Sequence, residues 1–304
     1  VQEILAYSAS HPADQSWKEN AAHNFNLGGL SFNDKLGFGV VNAYAAVQLA
    51  QTWTGHNTAV NEVVSSDRAF GLHDAISDSG QVYSRTFTLS GDMTVDHVEL
   101  GVDLRHTRMG DLLIELVSPN GTVSRLMDRP TVNPEQPYGL SGIDSNVPTH
   151  LLWDFSSVQF MGEKVAGDWT VNITDVRPEQ TGTIQSLSLR AYGSADHNND
   201  TYVFNDEGFV ASGGLMGNLS DEFGHDTLNN SMMLQSVAVD LTGHTMTSNG
   251  AFYRISDWTQ IEDVITGAAD DTLTGNELDN LLSGRAGNDT LIGGKGADTL
   301  DGGA

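Results

Sequence analysis

"GRAGNDTLIGGKGADTLDGG", residues Gly284 to Gly303, decides how the end of this chain is read. A flexible glycine linker has no reason to keep a register, and this stretch keeps one. Sliding the sequence in steps of nine aligns "TGAADDTLT", "GNELDNLLS", "GRAGNDTLI" and "GGKGADTLD", which run unbroken from Thr266 to Asp301. Leu273, Leu282, Leu291 and Leu300 share one column, and Asp271, Asn280, Asp289 and Asp298 share another. The pattern predicts a six-residue turn followed by a three-residue strand, with each leucine pointing inward. Two nonads make one coil, so turns eighteen residues apart stack, Asp271 over Asp289 and Asn280 over Asp298. Stacked carboxylates and turn carbonyls form an oxygen-only ligand set, which suits Ca²⁺ far better than Zn²⁺. Without a cation these carboxylates repel one another, so folding is expected to be linked to metal binding.

These repeats resemble the RTX nonapeptides that form calcium-loaded parallel β-rolls in secreted bacterial proteins. The resemblance implies calcium ligands at Asp271, Asn280, Asp289 and Asp298, with backbone carbonyls near Gly267, Gly284, Gly287, Gly293 and Gly296. Asn280 and Thr266 depart from the repeat pattern, which weakens the Asn280/Asp298 pairing relative to Asp271/Asp289.

Composition agrees with a cation-binding protein. Against 14 Lys plus Arg stand 40 Asp plus Glu, a formal charge of −26 over 304 residues. Such a field repels nucleic acid and anionic membranes, so neither is expected as a partner. There is no cysteine, which excludes disulfides, thiolate metal sites and a cysteine nucleophile. No apolar run reaches the roughly 18 residues that a membrane-spanning helix needs. Opening on Val1 and stopping inside a repeat, the chain is expected to be an internal piece of a longer secreted protein.

Residues 196–265 carry "NNDTYVF", "VAVDL" and "IEDVITG", which resemble the β segment leading into the roll of serralysin-type C-terminal domains. Val237, Val239 and Leu241 alternate with polar or small residues as in a half-buried strand. The His-Glu-x-x-His helix of those zinc proteases does not occur in the sequence.

Residues 55–195 read as successive short strands separated by turn words such as "SPNGT" and "RPEQTG". Val98, Leu100, Val102 and Leu104 alternate with polar or small residues, as do Trp169, Val171 and Ile173, and Leu187, Leu189 and Ala191. Strands without intervening helices predict a β-sandwich or jelly roll. "DLRHTRMGDLLIELVSPNGT" (Asp103–Thr122), Trp153, "GEKVAGDWTVNITD" (Gly162–Asp175) and "GTIQSLSLRAYG" (Gly182–Gly193) closely resemble the P domain, or Homo B domain, of kexin- and furin-like proprotein convertases. That resemblance implies a β jelly roll with no catalytic residue, stabilising an adjacent subtilisin-like domain. His106, Thr107 and Asp111 lack a third partner for a triad and are read as a turn held by polar side chains. Asp103, Asp111 and Asp175 are read as solvated acids rather than a further calcium site.

The first 54 residues hold two helical patterns, one with Val1, Ile4 and Leu5 on a face, the other capped by Asn42 and followed by Ala43, Ala46, Val47 and Ala50. The segment is too small for a domain of its own. "VQEILAYSA" and "GFGVVNAYAAV" resemble the closing segment of a subtilisin-type catalytic domain, whose nucleophile lies upstream on a Gly-Thr-Ser motif absent from these residues. Ser8, Ser10, His11 and His23 therefore take no catalytic role.

The chain is thus expected to be mainly β: terminal helices of a subtilisin-like α/β domain (1–54), a P-domain jelly roll (55–195), a β lead-in (196–265) and a parallel RTX roll (266–304). The implied parent is a secreted bacterial kexin-like serine endopeptidase acting by Ser-His-Asp acyl transfer on protein or peptide substrates. This piece would have the upstream catalytic domain as its partner and would be inactive alone. The rival readings are a calcium-dependent adhesin that borrows both modules and a protease with a mutated triad.

Overall fold

Strict alternation of apolar side chains needs two sheets facing each other, and that is what residues 60–195 build. A computed structural model of the protein describes residues 1–53, 60–78, 80–129, 150–177, 180–195, 198–208, 215–221, 223–257 and 259–303. The boundaries expected at 54/55 and 195/196, and Pro178–Glu179 of the "RPEQTG" turn, lie outside the described residues.

Two helices open the chain, α1 (Gln2–Tyr7) and α2 (Ala43–Thr52), with a small ladder of β1 (Lys18–Glu19) and β2 (Ser31–Phe32) between them. The sandwich follows as β3 (Glu62–Ile76), β4 (Val82–Leu89), β5 (Met93–His106), β6 (Leu112–Val117), β7 (Val123–Asp128), β8 (His150–Ser157), β9 (Gly167–Asp175) and β10 (Gly182–Ala195). One antiparallel sheet runs β3-β10-β5-β8 and the other β4-β9-β6-β7. All ten alternating residues predicted to face inward on β5, β9 and β10 are buried and share one core with Phe87, Ile114 and Phe160.

Residues 198–303 form the roll. One parallel sheet stacks β11 (Thr201–Val203), β13 (Thr227–Asn229), β17 (Asp263–Ile265), β19 (Leu281–Ser283) and β21 (Thr299–Asp301). The other is mixed, in the order β12 (Leu215–Leu219), β16 (Ala251–Ile255), β15 (Thr245–Ser248), β14 (Val237–Asp240), β18 (Thr272–Thr274) and β20 (Thr290–Ile292). Its last three strands are parallel, and β14, β15 and β16 are joined as antiparallel neighbours. The eighteen-residue stack is realised, with Leu273 opposite Leu291 and Leu282 opposite Leu300. Leu273 and Leu282 are fully buried, whereas Leu300, on the outermost described strand, is 48% exposed because no described coil covers it.

The chain divides into two compact units, Val1–His56 with His197–Ala304, and Asn57–Asp196. Within the first unit the N-terminal segment packs on the start of the roll. Asn26 donates its backbone N–H to the Val203 carbonyl at 2.9 Å and its amide to Asn205 Oδ1 at 2.9 Å. Asn229 donates to Thr52 Oγ at 3.0 Å.

Asn42 caps α2 as expected, its Oδ1 accepting the Ala45 N–H at 3.1 Å. The buried faces of both helices differ from the sequence reading. Ala6 and Tyr7 are buried on α1 while Val1 and Leu5 are exposed, and Ala45 and Leu49 are buried on α2 while Val47 is exposed. Helix period alone leaves the choice of face to tertiary contacts, and the large Tyr7 ring packs edge-on against Phe25 at 5.6 Å.

Candidate metal centre

Each roll turn carries its acid immediately before a strand, so the parallel register brings acids from successive coils into columns. In one column the Asp271 N–H donates to Asp289 Oδ1 at 2.9 Å, and the Val237 N–H donates to Asp271 Oδ1 at 2.7 Å. Each carboxylate therefore reaches back to the preceding coil with one oxygen. The other oxygen, Oδ2 of both Asp271 and Asp289, is buried with no hydrogen-bond partner. Burial pushes the Asp271 carboxyl above its usual range and the charge of Asp289 adds to this, opposed by the Val237 and Gly267 N–H groups and the Thr266 hydroxyl. Two buried carboxylate oxygens without partners in a turn rich in carbonyls fit a hard cation.

The turn backbone is shaped by close approach. Gly287 (φ +134°) and Gly296 (φ +108°) sit where a Cβ would overlap the carbonyls of Ala269 and Leu278 in the coil above. A Cβ on Gly284 or Gly293 would overlap Oδ2 of Asp289 or Asp298, so the first place of a turn faces the interior that its acid occupies. Of the carbonyls named from sequence, that of Gly267 accepts the Ala286 N–H at 3.4 Å and that of Gly284 accepts the Thr266 hydroxyl at 3.4 Å.

The second column behaves differently. Asn280 donates its N–H to Asp298 Oδ1 at 3.0 Å, so the two stack as expected. Its side-chain amide donates upward to the carbonyls of Ile261 at 3.3 Å and Glu262 at 3.1 Å, filling with a donor the place where a cation would bring charge. Asn280→Asp is expected to lower stability in EDTA by about 1–3 kcal/mol, because two carbonyls then face an anion, and to add one bound calcium ion. Denaturation in chelator paired with calcium calorimetry checks both effects.

One further acidic group escaped the sequence reading. Asp200, Asp221 and Asp226 bring carboxylate oxygens within 4.8 Å of one another at the upstream end of the roll. Asp226 is pushed up to about 7, first by burial and then by the charges of Asp221, Asp200 and Glu262. Between pH 4 and 7 the folded calcium-free protein thus holds a proton that the unfolded chain releases, so its stability falls as pH rises through that window. Urea titrations in EDTA at pH 5 and pH 7.5 are expected to show the lower pH as the more stable, and Asp226→Asn is expected to shrink the difference.

In the sandwich the polar residues named from sequence are paired with protein groups. Buried His106 accepts the Arg108 N–H on Nδ1 at 3.1 Å, which places its proton on Nε2, 3.0 Å from Asp175 Oδ2. Asp111 pairs with Arg108 at 3.3 Å and Arg177 at 3.6 Å, and Asp103 with His150 at 2.8 Å. Asp111 and Asp175 are buried rather than solvated as expected, because cations and N–H groups of the chain itself surround them. His11 pairs with Glu207 and with the Phe38 carbonyl.

A family model for the proprotein convertase P-domain matches residues 95–191, and one for the RTX calcium-binding nonapeptide repeat matches residues 274–304. Proprotein convertase subtilisin/kexin type 6 of Rattus norvegicus is 29% identical over 216 residues, covering 65% of this chain and 20% of that protein. Proprotein convertase subtilisin/kexin type 7 of Mus musculus is 30% identical over 204 residues, covering 64% and 24%. Among solved structures, the Aeromonas sobria serine protease in complex with the chaperone ORF2 is similar with a TM-score of 0.52 and 25% identity, over 64% of this chain and 40% of that one. The chain spans between about a tenth and a quarter of the length of the curated relatives it matches. It carries a proprotein convertase P-domain and RTX calcium-binding repeats and is homologous to kexin-type proteases.

Proposed function

We propose that this chain is the non-catalytic C-terminal part of a secreted bacterial subtilisin/kexin-like serine endopeptidase. The observation that carries the reading is the reach of the likeness: the alignment to a proprotein convertase takes in 65% of the chain, roughly twice the share that the P-domain model matches, so shared sequence runs beyond residues 95–191. An apolar surface on the N-terminal segment supports it, since Val41, Tyr44 and Val47 on and before α2 are exposed together. Such a patch is suited to a partner surface, here the body of a subtilisin-like domain ending in this segment.

On this reading the P domain, residues 55–195, stabilises the catalytic domain, and calcium held by Asp271, Asp289 and Asp298 closes the turns of the roll. When bound, calcium supplies positive charge to stacked carboxylates. The roll opens readily where the ion is scarce and is held closed outside the cell, where it is plentiful. Acyl transfer on protein substrates belongs to the catalytic domain, to which this chain contributes no triad residue.

The test is active-site labelling. The product of the entire coding sequence is expected to react with a fluorophosphonate probe and to cleave casein, and the 304-residue chain to do neither. Labelling of the chain alone, or a full product that takes no label, overturns the reading. The second outcome would leave an adhesin or an inactive protease.

A further inference from the structure

The nonapeptide match begins at residue 274, yet the first acid of the column, Asp271, directs its carboxylate away from the repeats. Its Oδ1 accepts the N–H of Val237, on the coil formed by residues 230–236, whose sequence "NNSMMLQ" across 229–235 has no glycine and no acid. Nothing in that turn resembles the repeat. Its backbone nevertheless stacks like one: Asn229 lies opposite Ile265, the Asn230 N–H donates to the Ile265 carbonyl at 2.8 Å, and a Cβ on Gly267 would overlap the carbonyl of Met233.

Asn230 stands at the first place of this turn, in line with Thr266 and Gly284 of the coils below. That place faces the turn interior, as the overlap of a Gly284 Cβ with Asp289 Oδ2 shows. Asn230 is fully buried, and both its Oδ1 and its Nδ2 lack a hydrogen-bond partner. In the coil below, Asp271 Oδ2 is also buried and makes no hydrogen bond, although the Thr266 hydroxyl and the Gly267 N–H lie close enough to ease its charge. A polar side chain sealed from water with both ends unmatched is costly, and the turn of the next coil holds a buried carboxylate oxygen that makes no hydrogen bond.

We propose that residues 230–236 and 266–271 enclose a calcium site outside the nonapeptide repeats, with the Asn230 amide oxygen and Asp271 Oδ2 as side-chain ligands and the Met233 carbonyl at its edge. The proposal rests on the reading of the roll as calcium-binding. It makes Asp271 the ligand that joins the repeat array to the non-repetitive coil on which it is built. A neutral amide oxygen beside one carboxylate and a carbonyl is a ligand set that Ca²⁺ accepts, with water completing the shell.

The experiment counts calcium ions bound by the 304-residue chain, using calorimetry with CaCl₂ as titrant and equilibrium dialysis with ⁴⁵Ca. Asn230→Leu, with the same branching at Cγ and without oxygen, is expected to bind one ion fewer than the parent and to be no less stable in EDTA, since it removes an unmatched group. An unchanged ion count overturns the proposal, and an unchanged count with lower stability in EDTA assigns the amide to a buried water. Asn230→Asp adds a charge to the same position and is expected to tighten one ion by about tenfold or more. Unaltered affinities at every site overturn the proposal even if the leucine variant fails to fold. Asp289→Asn serves as the control for the repeats: loss of an ion there but not in Asn230→Leu sinks this site alone, and a parent chain that binds no calcium sinks both readings.

Discussion

Chelation of calcium is expected to remove most of the stability of residues 198–303, leaving them barely folded, and to leave the sandwich of residues 60–195 unaltered. Among the described residues each set has a hydrophobic core of its own, and the carboxylates in question belong to the roll. In the roll, Asp271 and Asp289 bury carboxylates whose second oxygens have no partner, and Asp200, Asp221 and Asp226 crowd a third position. A chain of charge −26 has few cations of its own with which to relieve them. An ion present at about a hundred times its dissociation constant contributes about 2.7 kcal/mol, so three ions contribute about 8 kcal/mol, comparable with the whole stability of an ordinary domain of about 5–15 kcal/mol. Hydrogen exchange by mass spectrometry separates the units. In EDTA, peptides from β17 to β21 are expected to exchange about a hundredfold or more faster than in calcium, while those from β5, β9 and β10 keep their protection. Protection of β18 and β20 as strong in chelator as in calcium would show that their leucine core suffices without the metal.

How much of this roll the sequence announces depends on periodicity. The nonads of residues 266–301 could be read because their spacing is constant, and the leucine and acid columns fall where the register places them. The coils upstream follow the same rule with irregular spacing. Thr201 pairs with Thr227 and Thr227 with Asp263, steps of 26 and 36 residues that no fixed-period comparison detects. Their mark was the Asp-Thr word that opens a strand at 200–201 and 226–227 as it does at 271–272, 289–290 and 298–299. A local word survives insertions that destroy a period, because it encodes one acid at a turn end followed by one β-branched residue on a strand. Asn280 was legible as a departure from the pattern, but its consequence was not. Whether an amide in an acid column ligates a cation or replaces it depends on which carbonyls it meets, and Ile261 and Glu262 come from a coil outside the repeats.

The sandwich was more transparent. Two-residue alternation with aromatic and β-branched residues identifies a buried face regardless of topology, and all of the named positions on β5, β9 and β10 are in the core. The helices were less so. An α-helix of six or ten residues in a small-residue context offers several faces of similar polarity, and the contacts with Phe25 and the roll choose among them. The polar cluster of His106, Asp175, Asp111, Arg108 and Arg177 could not be assembled from sequence, since its members come from β5, β9 and the loops after them.

Trp169→Ala is expected to be the most damaging single change in the sandwich. Trp169 is the third residue of β9, lies opposite Phe87 on β4 in the same core, and is fully buried. Its ring meets Phe160 edge-on with centroids 5.0 Å apart, and its indole N–H donates to the Val165 carbonyl at 2.8 Å. Truncation removes the largest buried side chain of this core and leaves a cavity, at a cost of about 3–5 kcal/mol. The stranded Val165 carbonyl adds about 1 kcal/mol or more, unless water enters the space to satisfy it. Against an ordinary domain stability of about 5–15 kcal/mol, that leaves a sandwich close to its unfolding midpoint at room temperature. Trp169→Phe keeps most of the ring and loses the hydrogen bond, so it is expected to fall between the two. Guanidinium titrations of the calcium-loaded chain followed by hydrogen exchange would show the β5 and β9 peptides losing protection at much lower denaturant in Trp169→Ala, with β18 and β20 unaltered. A parallel loss of protection in the roll would mean that the two cores unfold as one, and the independence on which the calcium prediction relies would fall with it.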